Sequence, residues 1–291
     1  MAKVSVIIPS RNEQFLAPTI HDLFEKAEGD IEVIAILDGY WPIPWLDDYP
    51  NLEIIHRGTS YGMRAAINKG VNISTGTHIF KLDAHCAVDQ GFDVKLVADC
   101  EEDWVVVPRR YSLDAEEWKR REKAPYDHML LSYPDQPLDY GGAGYHGKAW
   151  RQKDRIFDSE KEPIFDLMSF QGSGWFMRKE YFRFLELMDE ENYGTFWQEA
   201  QEIGIKCFWS GGMVKRNTLT WYAHLHKGRK YGRGYFLDKR QLKKPVRYTN
   251  EFISGHDHKW HKQIPGRDLR WLVQHFWPVP GWPQKWAPEN G

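Results

Sequence analysis

Cysteines and long apolar segments are both scarce in this sequence. The three cysteines, Cys86, Cys100 and Cys207, are an odd number without a CxxC pair, which predicts neither a disulfide framework nor a zinc knuckle. No stretch reaches the roughly 18 consecutive apolar residues of a transmembrane helix. The apolar run at residues 4–8 is too short for the core of a secretory signal peptide, and we interpret it as a buried strand. These absences predict a cytoplasmic protein without membrane association.

The sequence also lacks a GxGxxG turn after its first strand, internal repeats and low-complexity linkers. Without that turn, a Rossmann-type dehydrogenase is not expected. The 291 residues are 42% hydrophobic and 27% charged, which is typical of a globular chain. One α/β domain with a C-terminal extension is therefore the simplest prediction.

The net charge of −2 hides an uneven distribution. Residues 214–271 contain 15 Lys/Arg and only 4 Asp/Glu, a local balance of +11. Trp, Tyr and His side chains are interleaved with these cations, a pattern that suits a polyanionic ligand such as a diphosphate or a nucleic acid. The alternative is a solvated basic face that the acidic remainder of the chain neutralises.

Apolar periodicity predicts a βαββαβ order in the N-terminal part of the chain. Buried strands are expected at residues 4–8, 31–37, 52–55 and 77–82, with helices at 14–27 and 61–71. A further strand is predicted at 105–107, whereas 110–168 lacks sustained periodicity and suits a lid or binding insertion. Regular structure is expected again at 170–182 and 205–209, with a helix around 196–204. This order predicts an α/β fold with a mostly parallel central sheet flanked by helices.

Polar clusters follow three of the predicted strands. They are Ser10, Arg11, Asn12 and Glu13 after the first strand, Asp38 and Gly39 after the second, and Asp83, Ala84 and His85 after the fourth. In doubly wound sheets, ligands bind beyond the carboxyl ends of the strands. The sequence therefore predicts a ligand site at this edge of the sheet.

Asp83 and His85 are the strongest candidates for metal ligands. Because they are two residues apart just after a buried strand, their side chains can point to the same side and share a divalent cation. A carboxylate with an imidazole favours Mn²⁺ over Mg²⁺, since imidazole is the softer ligand. Such a cation would neutralise the charge of a leaving nucleoside diphosphate. An isolated DxH pair is often structural, but its place after a βαββαβ unit favours the metal site.

These motifs resemble GT-A glycosyltransferases of the family 2 type. The N-terminal resemblance lies in residues 4–13, Leu37, Asp38, Arg64 and 82–86, and the DxH motif is similar to that of polypeptide N-acetylgalactosaminyltransferases. Downstream, residues 171–182 resemble that family's Gly-Gly turn and following helix. Residues 198–212 resemble its GENxE…R…GG segment, with Gln198, Ala200 and Lys206 in place of Gly, Asn and Arg. The resemblance covers residues 3–227 and is poor across 110–168.

The resemblance implies a UDP-sugar donor and a divalent cation, Mn²⁺ or Mg²⁺. The donor-binding residues would be Pro9, Arg11, Glu13, Asp38, Arg64, Asp83, Ser173, Gly174, Lys227 and Arg229. Among these, Asp38 would contact the uridine, and Arg64 the diphosphate or the sugar. A third metal ligand would come from a histidine beyond the Gly-Gly turn. The family's spacing leads to His224, with His226 as the substitute.

Glu199 and Glu202, together with Arg64, are the candidate catalytic residues. In inverting relatives a carboxylate just after the position of Glu199 takes the acceptor proton, but this sequence has Ala200 there. The resemblance therefore implies a retaining reaction, in which the leaving phosphate assists the incoming hydroxyl. A one-residue backbone shift would let Glu199 act as the base. The alternative for both glutamates is a solvated helix face.

Residues 227–235 combine cations, aromatic rings and glycines, and we expect them to form a mobile basic lid that excludes water from the site. A surface turn is the alternative. We expect a glycosyltransferase domain at 1–226, with a nucleotide-binding half at 1–109 and an acceptor and sugar half at 110–226. The lid and a C-terminal extension would occupy 227–291.

Three acceptor classes stay open: a hydroxymethylated base in DNA, a protein Ser or Thr, and a glycan. The basic segment favours DNA with 5-hydroxymethylpyrimidines, since its Trp260, Trp271, Trp277, His256, His258 and His261 would suit a flipped base. The same Trp and Pro density also suits a packed tail. The anchor-free form is more like bacterial or bacteriophage enzymes, which act in a bacterial or infected host cell. The competing class is a non-catalytic module that binds a nucleotide or polyanion.

Overall fold

The computed structural model describes residues 2–138, 143–255, 259–262 and 264–289. The strands, in chain order, are β1 Val4–Ser10, β2 Ile31–Asp38, β3 Leu52–Arg57, β4 His78–Leu82, β5 Cys86–Val88, β6 Trp104–Asp114, β7 Lys119–Arg120, β8 Met129–Leu131, β9 Gly147–Ala149, β10 Ile164–Asp166, β11 Gly174–Arg178 and β12 Met213–His224. The α-helices are α1 Leu16–Lys26, α2 Met63–Ile73, α3 Phe92–Ala98, α4 Arg151–Ile156, α5 Lys179–Phe184, α6 Glu190–Tyr193, α7 Glu199–Trp209, α8 Gly228–Tyr231, α9 Lys243–Ser254 and α10 Leu269–His275. Short 3-10 helices occupy Lys239–Leu242, Lys259–Lys262 and Gln284–Trp286.

The main sheet has the strand order β10-β12-β6-β11-β4-β1-β2-β3, with β5 beside β12 and β7 beside β6. The nucleotide-binding half predicted from the sequence, β3-β2-β1-β4, is parallel throughout. β11 is antiparallel to both β4 and β6, and β12 runs parallel to β6. Consequently β1, β2, β4 and β12 all point the same way, and their carboxyl ends share one edge. The predicted α/β class, with a central sheet flanked by helices, is confirmed.

Side-chain alternation along the central strands separates two apolar layers. In β1, Ile7 belongs to one core cluster, whereas Val6 and Ile8 belong to the other. Successive strand residues face opposite sides of a sheet, so a strand covered on both faces is apolar at nearly every position. On one face α2 packs closely, because Gly70 brings its backbone so near Ile7 that a Cβ would lie 2.5 Å from the Ile7 Cγ2 atom. This packing fixes the strand ends that carry the site.

The C-terminal tail is part of the main core. Trp260 and Trp282 are 2% and 6% exposed, and both belong to the cluster around Trp175 and Trp209. The Trp282 indole Nε1 donates to the carbonyl of Leu131 at 2.7 Å. Trp271 and Trp277 are partly buried against the same cluster. Trp260 is therefore part of the core rather than of a nucleic-acid surface, whereas the role expected for the partly exposed Trp271 and Trp277 stays a prediction.

Two elements extend well beyond their predicted bounds. β6 continues to Asp114, because its parallel pairing with β12 extends to Ser112, opposite His224. The helix expected around 196–204 begins at Glu199 and continues to Trp209, with every residue buried. A helix buried on all sides has no amphipathic pattern, so its end cannot be recognised from periodicity.

Within the described residues, no helix is both long enough and apolar enough to cross a membrane.

Asp22 on α1 provides a test of this packing. It is buried, its Oδ2 accepts from the Val88 amide at 2.6 Å, and burial raises the pKa of its carboxyl to about 6 from 3.8. Because the folded-state pKa lies above the unfolded-state value, the stability that the protonated form contributes is lost as the pH rises from about 4 through 6. We expect Asp22→Asn to remove this loss, which is worth about 3 kcal/mol at neutral pH.

The measurement is the free energy of unfolding in urea at pH 4 to 8 for wild type, Asp22→Asn and the exposed control Asp48→Asn. The difference between Asp22→Asn and wild type should grow with pH, whereas that for Asp48→Asn should stay flat. A pH-independent difference for Asp22→Asn would contradict the assignment.

Candidate metal centre and its cavity

A cavity of about 980 Å³ opens at the carboxyl ends of β1, β2, β4 and β12. This is the size of a cavity that holds a substantial organic ligand. Of the residues predicted to bind the donor or the metal or to act in catalysis, those that line it are Pro9, Arg11, Glu13, Asp38, Asp83, His85, Ser173, Glu199, His224, His226 and Lys227. The edge predicted from the three polar clusters is thus the edge that carries the cavity.

Asp83, His85 and His224 converge at one wall of the cavity. The Nε2 atoms of the two histidines are 3.1 Å apart, and Asp83 Oδ2 lies 3.3 Å from His224 Nε2 and 3.9 Å from His85 Nε2. Within the described residues they form the group of His, Cys, Asp or Glu side chains that could hold a metal ion, with ligand atoms within 4.8 Å of one another. Neighbouring ligands of an octahedral ion with bonds of about 2.1 Å lie roughly 3 Å apart. The spacing of this group therefore fits a divalent cation.

The outer partner of His85 supports the same interpretation. Its Nδ1 lies 3.0 Å from Glu13 Oε2, and a carboxylate at that position favours the Nδ1–H tautomer. The Nε2 lone pair is then left facing His224 and Asp83, as in carboxylate–histidine–metal arrangements. Burial by itself raises the pKa of Glu13, but His85 and Lys227 outweigh it, so that the pKa is lowered. Glu13 is therefore an anion that orients the imidazole of His85.

A buried lysine balances the carboxylates beside this group. Lys81 is 1% exposed in the middle of β4, and its Nζ lies 2.7 Å from Asp83 Oδ1 and 3.2 Å from Glu199 Oε1. It also donates to the Gly172 carbonyl at 2.6 Å. Burial alone would lower the pKa of Lys81, but Asp83 and Glu199 raise it above its usual value. Lys81 therefore stays charged and holds both carboxylates at the cavity wall.

The same environment lowers the pKa values of Asp83 and His224 and raises that of Glu199. Burial alone would raise the pKa of Asp83, but Lys81 and the two histidines lower it. Burial, with Asp83 nearby, raises the pKa of Glu199 despite Lys81. Burial also lowers the pKa of His224 to about 3, so its imidazole is neutral near pH 7. An anionic carboxylate and neutral imidazoles are the forms that bind a cation.

Asp38 lines the cavity, but both of its oxygens are already occupied. Oδ1 accepts from the Tyr61 amide at 2.9 Å and from Arg57 at 3.4 Å, while Oδ2 accepts from Ser60 Oγ at 2.5 Å and the Gly62 amide at 2.9 Å. A carboxylate has about four lone-pair positions, and these contacts use them all. In this structure Asp38 therefore holds the loop that leads into α2, rather than presenting a free oxygen to a base.

Arg64 and Glu202 do not line the cavity, contrary to their predicted catalytic and donor-binding roles. Both side chains are fully buried, and the guanidinium is paired with the Glu202 carboxylate. Arg64 also donates to the Trp197 carbonyl at 2.7 Å and lies 4.2 Å from the centre of the Tyr193 ring. Because the guanidinium is buried against Glu202 and the Trp197 carbonyl, it does not face a ligand in the cavity. The pair supports the backbone at 197–198, where two non-glycine residues have positive φ.

Gly174 and Arg229 also lie outside the cavity lining. Gly174 begins β11 with Tyr222 against it, so that a Cβ would lie 3.1 Å from the phenol ring. Arg229 is exposed on α8. Ser173 does line the cavity, and its carbonyl accepts from the Asp83 amide at 2.9 Å. The turn after Gly172 is therefore hydrogen-bonded directly to Asp83.

The basic segment 227–237 lies across the rim of the cavity. Lys227 pairs with Glu13, and the Asn12 side-chain amide donates to the Gly234 carbonyl. Arg11 lies 4.7 Å from the ring centre of Tyr235. These contacts place the segment where the predicted lid was expected, against the loop that follows β1. Its mobility stays a prediction.

The sequence did not identify Lys81 or Arg110 as site residues, nor did it predict that residues 234 and 235 contact the loop after β1. A lysine inside a five-residue buried strand was a usable signal, because an unpaired cation is almost never buried. Arg110 gave no such signal, since it lies in the stretch without periodicity. His256 and His258, and the side chain of His261, lie outside the described residues.

Mutation of Asp83 tests the metal centre. We expect wild type to bind Mn²⁺, and Asp83→Asn to weaken binding by about 100-fold or more, because it removes the anionic ligand. Glu13→Gln should weaken it by about 10- to 100-fold, as loss of an outer partner does. Electron paramagnetic resonance of free Mn²⁺ measures both. The control is Asp89→Asn, because Asp89 pairs with Lys95 outside the cavity lining. An affinity of Asp83→Asn for Mn²⁺ equal to that of wild type would refute the metal site.

Mutation of Arg64 tests whether this residue stabilises the interior rather than binding the donor. We expect Arg64→Met to lower the free energy of unfolding by about 2 kcal/mol, because it removes the buried hydrogen bonds to Glu202 and to the Trp197 carbonyl, while Lys206 Nζ, 2.7 Å from Glu202 Oε1, stays as the cation of that carboxylate. Arg183→Met, which breaks an exposed pair with Glu180, should cost less than about 1 kcal/mol. If Arg64→Met left the free energy of unfolding unchanged but impaired nucleotide binding, Arg64 would be a donor-binding residue.

Among the solved structures that share the fold are GalNAc-T7 in a complex with UDP, GalNAc and Mn²⁺, at a TM-score of 0.63 and 17% identity, and TarS of S. aureus, at 0.54 and 11%. The alignments cover 87% and 94% of this chain, but only 49% and 42% of those chains, so this chain spans less than half of either protein. At such identities the likeness shows the fold alone, and it confirms the predicted GT-A architecture. A search of curated protein sequences finds no match.

The family model described as "Glycosyl transferase family 2" matches residues 5–185, more than half of the chain. The match spans β1 to the end of α5 and includes Asp83 and His85. The chain therefore belongs to glycosyl transferase family 2.

Proposed function

We propose that this protein is a metal-dependent glycosyltransferase that takes a sugar from a UDP-sugar donor. The observation that carries the proposal is the convergence of Asp83, His85 and His224 at the wall of a large cavity. Family membership and the UDP and Mn²⁺ of the GalNAc-T7 structure support the donor and the ion. Mn²⁺ is preferred over Mg²⁺ because two of the three ligands are imidazoles.

The bound cation would supply positive charge to the leaving diphosphate. The residues around it have complementary tasks. Glu13 orients His85, and Lys81 fixes Asp83 through its other oxygen. Segment 227–237 covers the rim, where it can exclude water that would otherwise hydrolyse the donor.

We propose retention of configuration at the transferred sugar. Ala200 lines the cavity and has no carboxylate to accept the acceptor proton. The Glu199 carboxylate already accepts from the Trp175 indole at 2.5 Å and pairs with Lys81. These contacts of Glu199, and the missing carboxylate at position 200, favour assistance by the leaving phosphate over an inverting reaction. We propose a donor sugar of the GalNAc, GlcNAc or Glc class.

For the acceptor we propose a 5-hydroxymethylpyrimidine in DNA. Its support is the +11 balance of residues 214–271, since cations supply most of the affinity for a nucleic-acid backbone. The buried tail tryptophans add nothing to that support. Protein Ser or Thr and a glycan are the alternative acceptors, and a non-catalytic nucleotide-binding module is the further alternative. We also propose the division into a transferase domain at 1–226 and a lid with extension at 227–291.

The experiment incubates the protein and Mn²⁺ with UDP-GalNAc, UDP-GlcNAc or UDP-Glc and one of three acceptors. These are hydroxymethylcytosine DNA, a Ser/Thr peptide and an oligosaccharide. We expect a hexose or N-acetylhexosamine mass increment on the DNA, lost with EDTA. Nuclear magnetic resonance of the first product should show the donor's α configuration. A β product would overturn retention.

Matched variants separate the possible failures. Asp83→Asn should be inactive and Asp89→Asn active. Transfer to DNA should fall steeply with added salt, whereas transfer to a neutral acceptor should not. Transfer to the peptide or glycan alone would replace the DNA proposal. If the protein bound UDP but neither transferred nor hydrolysed any donor sugar, the non-catalytic nucleotide-binding module would be the remaining function.

A further inference from the structure

Arg110 is a buried cation directly behind the metal centre. It is 5% exposed on β6, and within the described part of the chain no carboxylate lies within 4.0 Å of its guanidinium. Its charge rests on the face of Tyr126, 4.1 Å away, and on one side-chain hydrogen bond, to His226 Nε2 at 2.9 Å. Burying a charge without a paired charge costs free energy, so the position of Arg110 indicates a specific role.

The hydrogen bond between Arg110 and His226 determines the state of the histidine. Arg110 is always protonated and can only donate, so His226 Nε2 must be the acceptor. A histidine that accepts at Nε2 carries its single proton on Nδ1 and is uncharged. Arg110 therefore fixes His226 in the Nδ1–H form and makes Nδ1 a donor.

This bond also removes His226 as the substitute metal ligand through Nε2. His226 lines the cavity and is exposed, with its ring centre 5.1 Å from that of His224. In the described residues Nδ1 has no hydrogen-bond partner. Arg110 and the proposed metal ion contribute positive charge here, whereas Lys227 is paired with Glu13. The positive charge of Arg110 and the ion favours an anionic oxygen over a neutral hydroxyl as the partner of Nδ1.

We propose that His226 donates a hydrogen bond from Nδ1 to the diphosphate held at the metal centre, and that Arg110 is the positioning residue that fixes its tautomer. This inference rests on the proposed function, because it requires a nucleoside diphosphate in the cavity. It assigns to His226 a role beside the cation rather than on it.

The test measures UDP affinity by calorimetry at saturating Mn²⁺. We expect His226→Phe, which keeps the ring and loses the donor, to weaken UDP binding about tenfold or more. His226→Asn places an amide donor close to the position of Nδ1 and should stay within about threefold of wild type. Affinity for Mn²⁺ in the absence of UDP should be unchanged in both. His21→Phe, an exposed histidine outside the cavity lining, is the control.

A double-mutant cycle tests the role of Arg110. Arg110→Met should weaken UDP binding about as much as His226→Phe, and the double variant should be no weaker than His226→Phe alone. Unfolding curves check that each variant folds; should Arg110→Met not fold, the Phe and Asn variants of His226 decide. Additive losses, or wild-type UDP affinity in His226→Phe, would overturn the inference. Lower turnover with unchanged UDP affinity would also overturn it. Failure of wild type to bind UDP would instead overturn the proposed function.

Discussion

The ion pair between Lys81 and Asp83 organises the whole candidate site. Asp83 follows a buried strand and faces two imidazoles, and an anion in that place needs a fixed orientation and a fixed charge. Lys81 supplies both by binding one oxygen of the carboxylate and leaving the other towards the histidines. The same ammonium contacts Glu199, so the first residue of α7 is held at the wall of the metal centre. One buried cation therefore connects the central sheet with α7.

Charged residues near the cavity fall into those that face it and those that support it. Behind the wall Glu202 is paired with both Arg64 and Lys206, and Arg64 holds the segment before α7. Asp38 lies on the wall but uses its oxygens to hold the loop before α2. Such supporting groups confine the residues that face the ligand to one geometry, which is what binding and catalysis require. They are found at the positions where motif comparison alone suggests direct contact.

Much of the fold could be predicted from the sequence because the nucleotide-binding half is locally consistent. Apolar runs, helical periodicity and polar clusters at strand ends all indicate the same parallel sheet. The pairing of Asp83 with His224 could be predicted only through the resemblance, because 141 positions separate them and β12 brings them together. The roles of Arg64 and Arg110 could not be predicted. Whether an arginine faces a cavity or the interior depends on tertiary packing, and neighbouring residues in the sequence do not reveal it.

The candidate metal centre also joins distant parts of the chain. Among the described residues Glu13 follows the first strand and His224 ends the last, and β12 lies between β10 and β6 in the sheet. During synthesis the chain leaves the ribosome from its N-terminus, so Asp83 and His85 are made well before His224. A stretch that ends before β12 would carry the DxH motif without its third partner. The candidate centre is thus complete only when β12 has been made and has inserted into the sheet.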